Sequence, residues 1–279
     1  MARIAISSLL AMLTCIAAAS AQSAPWRYHW QTGQVLVYKV EQTTAAKETV
    51  AESTEETKTR LNLTKRWQVL ELDAAGNATL QLSLLALRLE VTTPSGGSLL
   101  FDSASPDKSD PHMREELGKF LTEPLAVLRV DPRGRVVEVK QSRNGSATKF
   151  EAEPPFIITL SGGELKAGDA WARAYHITLE PPQGTGEKYE AAQNYQCNSV
   201  TQNLATIAFT STLKSMPESI LDRVPLLQLQ PEGEVVLDLQ AGRLQSATLR
   251  IDKELKGHQG EGSSYKFQST YTEKYVGGM

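Results

Sequence analysis

Four histidines, His29, His112, His176 and His258, are the side chains best suited to move protons or hold a metal near neutral pH, and they are scattered. None forms a His-x-His or His-Glu-x-x-His spacing, so no metal-site pattern is present. A nucleophilic triad would have to be assembled from Ser103, His176 and Asp169, and a thiol pair from Cys197 and His176. Neither set carries a local signature, because the chain has no Gly-x-Ser-x-Gly elbow. It also has no Gly-x-x-x-x-Gly-Lys-[Ser/Thr] loop to cradle phosphates. A glycosidase needs two carboxylates on facing surfaces. Here many of the 32 acidic residues fall in loops or on the polar faces of alternating segments, where solvation explains them. No catalytic residue, metal or cofactor is therefore assigned, and the expectation is a protein that is not an enzyme.

The elements that position these residues begin with a targeting segment. Arg3 precedes an apolar run from Ile4 to Ala19, too short to span a bilayer comfortably and remain as an anchor. Ala19-Ser20-Ala21 has the small-x-small form of a cleavage site, so residues 1–21 read as a signal peptide. Cleavage between Ala21 and Gln22 would start the mature chain at Gln22. Cys15 raises a lipoprotein alternative, but it follows Thr14 and the apolar run continues past it. No later segment is apolar for long enough to cross a membrane as a helix. The mature chain is expected to be exported, to the periplasm or beyond the cell.

Removing residues 1–21 removes Arg3 and no acid, so the formal charge goes from −3 to −4. That balance argues against nucleic acid, which selects clustered Lys and Arg. Cys15 leaves with the signal, so Cys197 has no partner for an internal disulfide. Its ordinary role is that of a small buried apolar residue.

Period-2 alternation dominates the rest. Residues 33–44 form a first strand, and 45–60 read as a solvated strand extension or a loop. Strand character returns around Trp67 and Val69. Asp73-Ala-Ala-Gly76-Asn77 is a turn. From Ala78 the apolar positions are Ala78, Leu80, Leu82 and Leu84, and then slip to Leu85, Leu87 and Leu89, as at a β-bulge or a doubly buried strand. Residues 92–110 read as a loop. Asp110-Pro111 is an N-cap followed by proline at the first helical position, with Met113, Leu117, Phe120 and Leu121 on one helical face. Beyond Gly168, strands are expected near Trp171–Leu179, Tyr189–Val200 and Leu204–Leu213. Residues 216–229 suggest one or two helical turns ended by Pro225. The last strand puts Tyr265, Phe267, Tyr271 and Tyr275 on one face.

Two hairpins look alike: Leu128–Val139, turning at Gly134-Arg135, and Leu237–Leu249, turning at Gly242-Arg243. Each closes a similar series of strands. The organisation read from this is a first β-half at 22–152, a linker at 153–167 and a second β-half at 168–279, packing as one unit. The predicted fold is mainly β, with strongly curved antiparallel sheets in an open barrel or two related half-barrels and one or two short helices.

The chain resembles an uncharacterised family of exported bacterial β-rich proteins. The resemblance rests on Gly33, Trp67-Gln-Val69, Asp73…Gly76-Asn-Ala78, Phe101-Asp-Ser103, Asp131-Pro-Arg-Gly134, Pro154…Gly168-Asp-Ala-Trp171 and Gly242-Arg-Leu244. It implies a fold and no assigned activity. In architecture alone the chain also resembles LolA/LppX-type half-barrels, which carry lipid or lipoprotein chains across an envelope. The expected function is binding of a lipid, lipoprotein chain or other apolar envelope component. The alternatives are a structural or protein-interaction module partnering an envelope protein and, less favoured, a hydrolase. Tyr265, Phe267, Tyr271, Tyr275, Trp67 and Trp171 would line an apolar cavity; barrel core is the other role open to them. Trp26 and Trp30 would either seal one end or rim an opening.

Overall fold

A computed structural model describes residues 26–143, 150, 158–181 and 183–278. The expected signal peptide, its cleavage residues Ala21 and Gln22, and Pro154 lie outside the described residues. The strands are β1 (Val35–Val50), β2 (Ser53–Leu72), β3 (Ala78–Thr92), β4 (Ser98–Asp102), β5 (Ala126–Val130) and β6 (Val136–Ser142). They continue with β7 (Ala170–Leu179), β8 (Glu187–Thr201), β9 (Leu204–Leu213), β10 (Glu232–Asp238), β11 (Arg243–Lys256) and β12 (Ser264–Gly277). An α-helix, α1 (Pro111–Gly118), lies between β4 and β5.

All twelve strands belong to one antiparallel sheet, in the order β6-β5-β3-β2-β1-β12-β11-β10-β9-β8-β7, with β4 paired to β3 off this path. The first strand of the chain therefore pairs with the last, Thr43 opposite Thr270. Among the described residues β6 and β7 are unpaired edges, so the sheet is open and curved rather than closed. Alternation explains its two faces. Leu36, Tyr38 and Val40 of β1 are buried, while Lys39 and Glu41 on the opposite face are exposed.

The segment at 45–60 is strand extension rather than loop. β1 and β2 run together to a tight turn, pairing Lys47 with Glu56 and Val50 with Ser53, with Ala51 at φ 53°. A polar strand can persist there because β12 also pairs with β1 as far as Thr49. The slip in β3 is a bulge. Ala86 pairs with Thr64 and Leu84 with Lys65, leaving Leu85 out of the ladder. Leu85 is 54% exposed and Leu87 buried, so Leu85 leaves the inward set instead of starting a new one.

Two local expectations change. The 92–110 loop contains β4, because Phe101 is buried while Leu99 opposite Val91 stays exposed. Pro225 does not end its helical segment, which is a 3₁₀ run over Leu221–Leu229 with Leu226 and Leu227 buried. Pro225 sits in the middle of the run, and the segment continues past it where Leu226 and Leu227 are buried. Asp110 does cap α1, accepting from the His112 and Met113 amides at 3.0 and 3.1 Å.

The main core sits at one end of the curved sheet and includes Tyr28, Trp30, Tyr38, Trp67, Leu80 and Phe209. Residues 26–32 plug that end. Tyr28 stacks on Trp30 with centroids 5.3 Å apart. Its hydroxyl donates to the Ile158 carbonyl and accepts from the Ile158 amide, at 3.1 and 3.0 Å. Trp30 is buried and Trp26 half-buried, so these indoles seal the end.

The two Gly-Arg hairpins hold this plug from both sides. The Tyr28 amide donates to Pro132 in the first, and the His29 amide donates to Gly242 in the second. In each turn an aspartate gathers the backbone and pairs with the arginine after the glycine. Asp131 accepts from the Arg133 and Arg135 amides and pairs with Arg135 at 2.7 Å. Asp238 accepts from Ala241 and pairs with Arg243 at 3.4 Å. Gly134 and Gly242 lie at φ 88° and 63°, where a side chain is costly.

Candidate functional site

The inner face of β1–β3, β11 and β12 runs from the plugged core toward the tips of the long hairpins. Its register places side chains in rows. One row holds Leu87, Leu63, Val40, Glu273 and Ala247, and the next holds Leu89, Leu61, Gln42, Tyr271 and Leu249. Burial fades along this face. Tyr271, Ser269 and Ile251 are buried, and Phe267, Tyr265 and Leu255 beyond them are half-buried. Across the sheet Leu61, Leu63, Leu89 and Val91 are also half-buried.

A charged cluster stands where the closed core gives way to this wall. Glu273 has a fully buried side chain, and the ammonium of Lys65, itself 15% exposed, lies 3.0 Å from its Oε1. Lys65 also donates to the Tyr271 hydroxyl at 3.2 Å. The Tyr271 hydroxyl in turn donates to the other carboxylate oxygen of Glu273. Burying one such charge alone would be costly, and the pair and phenol together make the cluster tenable. Next to it Tyr38 donates to the Leu244 carbonyl at 3.0 Å, and burial, reinforced by Glu273, holds its phenol well above its ordinary pKa.

A second inward polar group lies on β7–β9. Arg173 donates to the Gln193 carbonyl oxygen at 2.7 Å, and Tyr195 donates to the same oxygen at 2.7 Å. The Tyr175 and Ser211 hydroxyls are 2.6 Å apart. Burial raises the Tyr195 phenol to about 12. Every group in this cluster has a partner, which suits a structural network better than a reacting one.

The six residues expected to line a cavity are placed as follows. Trp67 and Tyr271 belong to the buried core, and Trp171 and Tyr275 are half-buried against it. Trp171 stacks on Tyr195 at 5.3 Å and donates to the Thr159 carbonyl at 2.7 Å. Tyr275 lies edge-on to Tyr38 and carries the Arg243 guanidinium 3.6 Å from its ring centroid. Tyr265 and Phe267 sit apart from these, further along β12 beside the hairpin turn, where Tyr265 packs edge-on to His258.

The nucleophile combinations do not assemble. Ser103 accepts from the Leu87 amide beside β3, whereas His176 is exposed on the edge strand β7. Cys197 is buried in β8, and burial pushes its thiol up. Among the described residues no group of three or more His, Cys, Asp or Glu side chains could hold a metal ion.

Lys65 and Glu273 were absent from the residues expected at a site. Their signal lay in the alternation itself. Lys65 occupies an inward position between Leu63 and Trp67, and Glu273 one between Tyr271 and Tyr275. A charge on an apolar face of a strand announces a buried partner.

No protein-family model matches the chain, and no curated protein matches it. Among solved structures, DynF from the dynemicin biosynthesis pathway of Micromonospora chersina is 8% identical, with a TM-score of 0.21, over 93% of this chain and 88% of that one. The COG4313 outer membrane channel from Pseudomonas putida F1 is 9% identical, with a TM-score of 0.26, over 90% of this chain and 98% of that one. Likeness at this level carries no argument about function. Among the described residues no helix is long and apolar enough to cross a membrane.

Proposed function

We propose that this chain is an exported, non-enzymatic binding protein of the cell envelope, whose curved sheet takes the apolar chain of a lipid, lipoprotein or similar component. One observation carries the reading. On the inner wall beyond the buried core, Leu61, Leu63, Leu89 and Val91 adjoin one another in register yet stay only half-covered. Phe267 and Leu255 continue the half-covered surface on β12 and β11. The outward positions of the same strands are polar, including Lys58, Arg60 and Glu90. Apolar surface concentrated on the inner face of a curved sheet gains from an apolar occupant. Lys65 and Glu273 at the inner end neutralise each other, and Lys253 stands opposite Phe267 further along the same face.

Native mass spectrometry of protein purified without detergent, followed by titration with lysophosphatidylcholine, tests this. One bound chain per protein is expected, with binding lost in Leu63→Glu while circular dichroism is preserved. A folded protein that neither retains nor takes up a chain would sink the proposal. The second reading, a protein-interaction module, is favoured by the unpaired edge of β6, where Val137 is 48% exposed. A strand from a partner would extend the sheet there. Cross-linking that captures an envelope protein on β6, with no lipid bound, would select it.

A further inference from the structure

We propose a second binding site, on the outer face of the same strands, for a small polyhydroxylated anion such as a sugar phosphate or a uronic-acid oligomer. It goes beyond the inner-wall reading: ten of its fourteen lining residues stand at outward positions, while Thr44, Thr59, Ile251 and Ser269 belong to an inward row. The outer face of β3, β2, β1, β12 and β11 forms a groove of about 530 Å³. That size is in the range of small-molecule sites. Residues of all five strands line it, so the groove runs across the strands.

The register sets the chemistry of the floor. Thr43 pairs with Thr270 at its centre; Arg60 stands beside Thr43 on one side and Arg250 beside Thr270 on the other. The two arginines are three strand spacings apart, roughly 14 Å between backbones; Arg250 is turned toward Glu232 on β10, away from the centre, which leaves Arg60 as the cation facing a ligand. Two hydroxyls lie between two guanidiniums, and the lining has no aromatic ring. Such a surface recognises hydroxyls and oxyanions rather than an apolar body.

The charges are arranged to leave one cation open. Arg250 is held by Glu232, which accepts from its Nε and Nη2 at 3.1 and 3.0 Å. Asp252 is engaged by Lys266 at 3.5 Å and by Gln268 at 3.3 Å. Glu90 pairs with Arg88 at 3.8 Å, although its register partner is Arg60. Lys58 pairs with Glu56 at 2.8 Å. Arg60 alone among the charged lining residues has no ion pair or hydrogen bond within the described residues. The acids that could neutralise it are turned to cations elsewhere, and a ligand oxyanion is the missing counter-charge.

Isothermal titration calorimetry of the whole folded chain at low salt tests the site with glucose 1-phosphate, trigalacturonate, inorganic phosphate and maltotriose. One-to-one binding of at least one anionic sugar is expected, weakening as salt screens the contact. Binding of the first alone or the second alone identifies phosphate or carboxylate as the oxyanion. Maltotriose and inorganic phosphate should bind at least about tenfold more weakly, and Arg60→Gln should weaken the anionic sugar about tenfold or more. Arg60 is exposed and unpaired, so its replacement leaves the fold intact; an unchanged urea midpoint verifies this. Failure of both anionic sugars to bind, or binding unchanged in Arg60→Gln, overturns the site. Inorganic phosphate binding as tightly as glucose 1-phosphate overturns the role of the hydroxyls.

Discussion

Replacing Lys65 with methionine removes the ammonium from the buried cluster while keeping a long apolar stem. Glu273 then retains the Tyr271 hydroxyl but loses the cation 3.0 Å from its Oε1, in a site where its side chain is fully buried. Breaking a buried ion pair from one side costs roughly 3–5 kcal/mol, because the remaining charge is uncompensated. The residual 15% exposure of Lys65 lets water approach the vacated position, which puts the cost at the lower end, about 3 kcal/mol. For a chain of this size that is roughly 6–12 °C in melting temperature. The assay is urea unfolding of Lys65→Met, Glu273→Leu and the double variant. The double variant, with both charges gone, should lie within about 1 kcal/mol of the parent, giving a coupling of about 2 kcal/mol or more. A cost below about 1 kcal/mol for Lys65→Met, or a double variant as unstable as the sum of the singles, would refute the assignment of a mutually dependent buried pair.

Three further outcomes can be measured in the same unfolding assay. Asp73 accepts from the Ala75 and Asn77 amides, the Asn77 side chain and Arg129. The Asn77 bonds, then Arg129, hold its carboxyl below the usual range. A lowered folded value means this contribution is complete above the unfolded pKa, about 3.9, and is lost as pH falls below it. Asp73→Asn should therefore flatten the acid limb of stability against pH, and an unchanged limb would contradict the contact. Gly134→Ala should cost about 1 kcal/mol for its backbone conformation. Gly242→Ala should cost more, about 2–3 kcal/mol, because its Cβ would overlap the His29 ring; His29→Ala should recover part of the difference, and no recovery would discard the clash. Leu85→Ser at the bulge should stay within about 0.5 kcal/mol of the parent, while Leu87→Ala should cost about 2–4 kcal/mol; equal costs would place the bulge elsewhere.

Strand after strand could be read from alternation, and so could the Asp110 cap, the Asp73 turn and the slip in β3. These depend on neighbours a few residues apart, which the chain presents directly. Residues 45–60 were ambiguous because their side chains carry no apolar signal; their strand conformation comes from a backbone ladder shared with β12. Pro225 misled in the same way, since only the burial of Leu226 and Leu227 shows that the segment continues. At the candidate sites, Lys65 and Glu273 were visible as charges on apolar faces, but each was missing its partner. Sequence spacing cannot show that a residue of β2 and one of β12 meet across β1.

The sequence by itself therefore determined the β class, the inward and outward faces of the strands and the turns that join them, because each follows from local sterics and a two-residue period. Tertiary structure alone decided that β1 pairs with β12, and thereby which residues share a row. That pairing brings Glu273 to Lys65 on the inner face and sets Thr43 between Arg60 and Thr270 on the outer one. It joins residues more than two hundred positions apart, through hydrogen bonds that any backbone can make. What selects it is the burial of the inner face as a whole, which no single segment encodes.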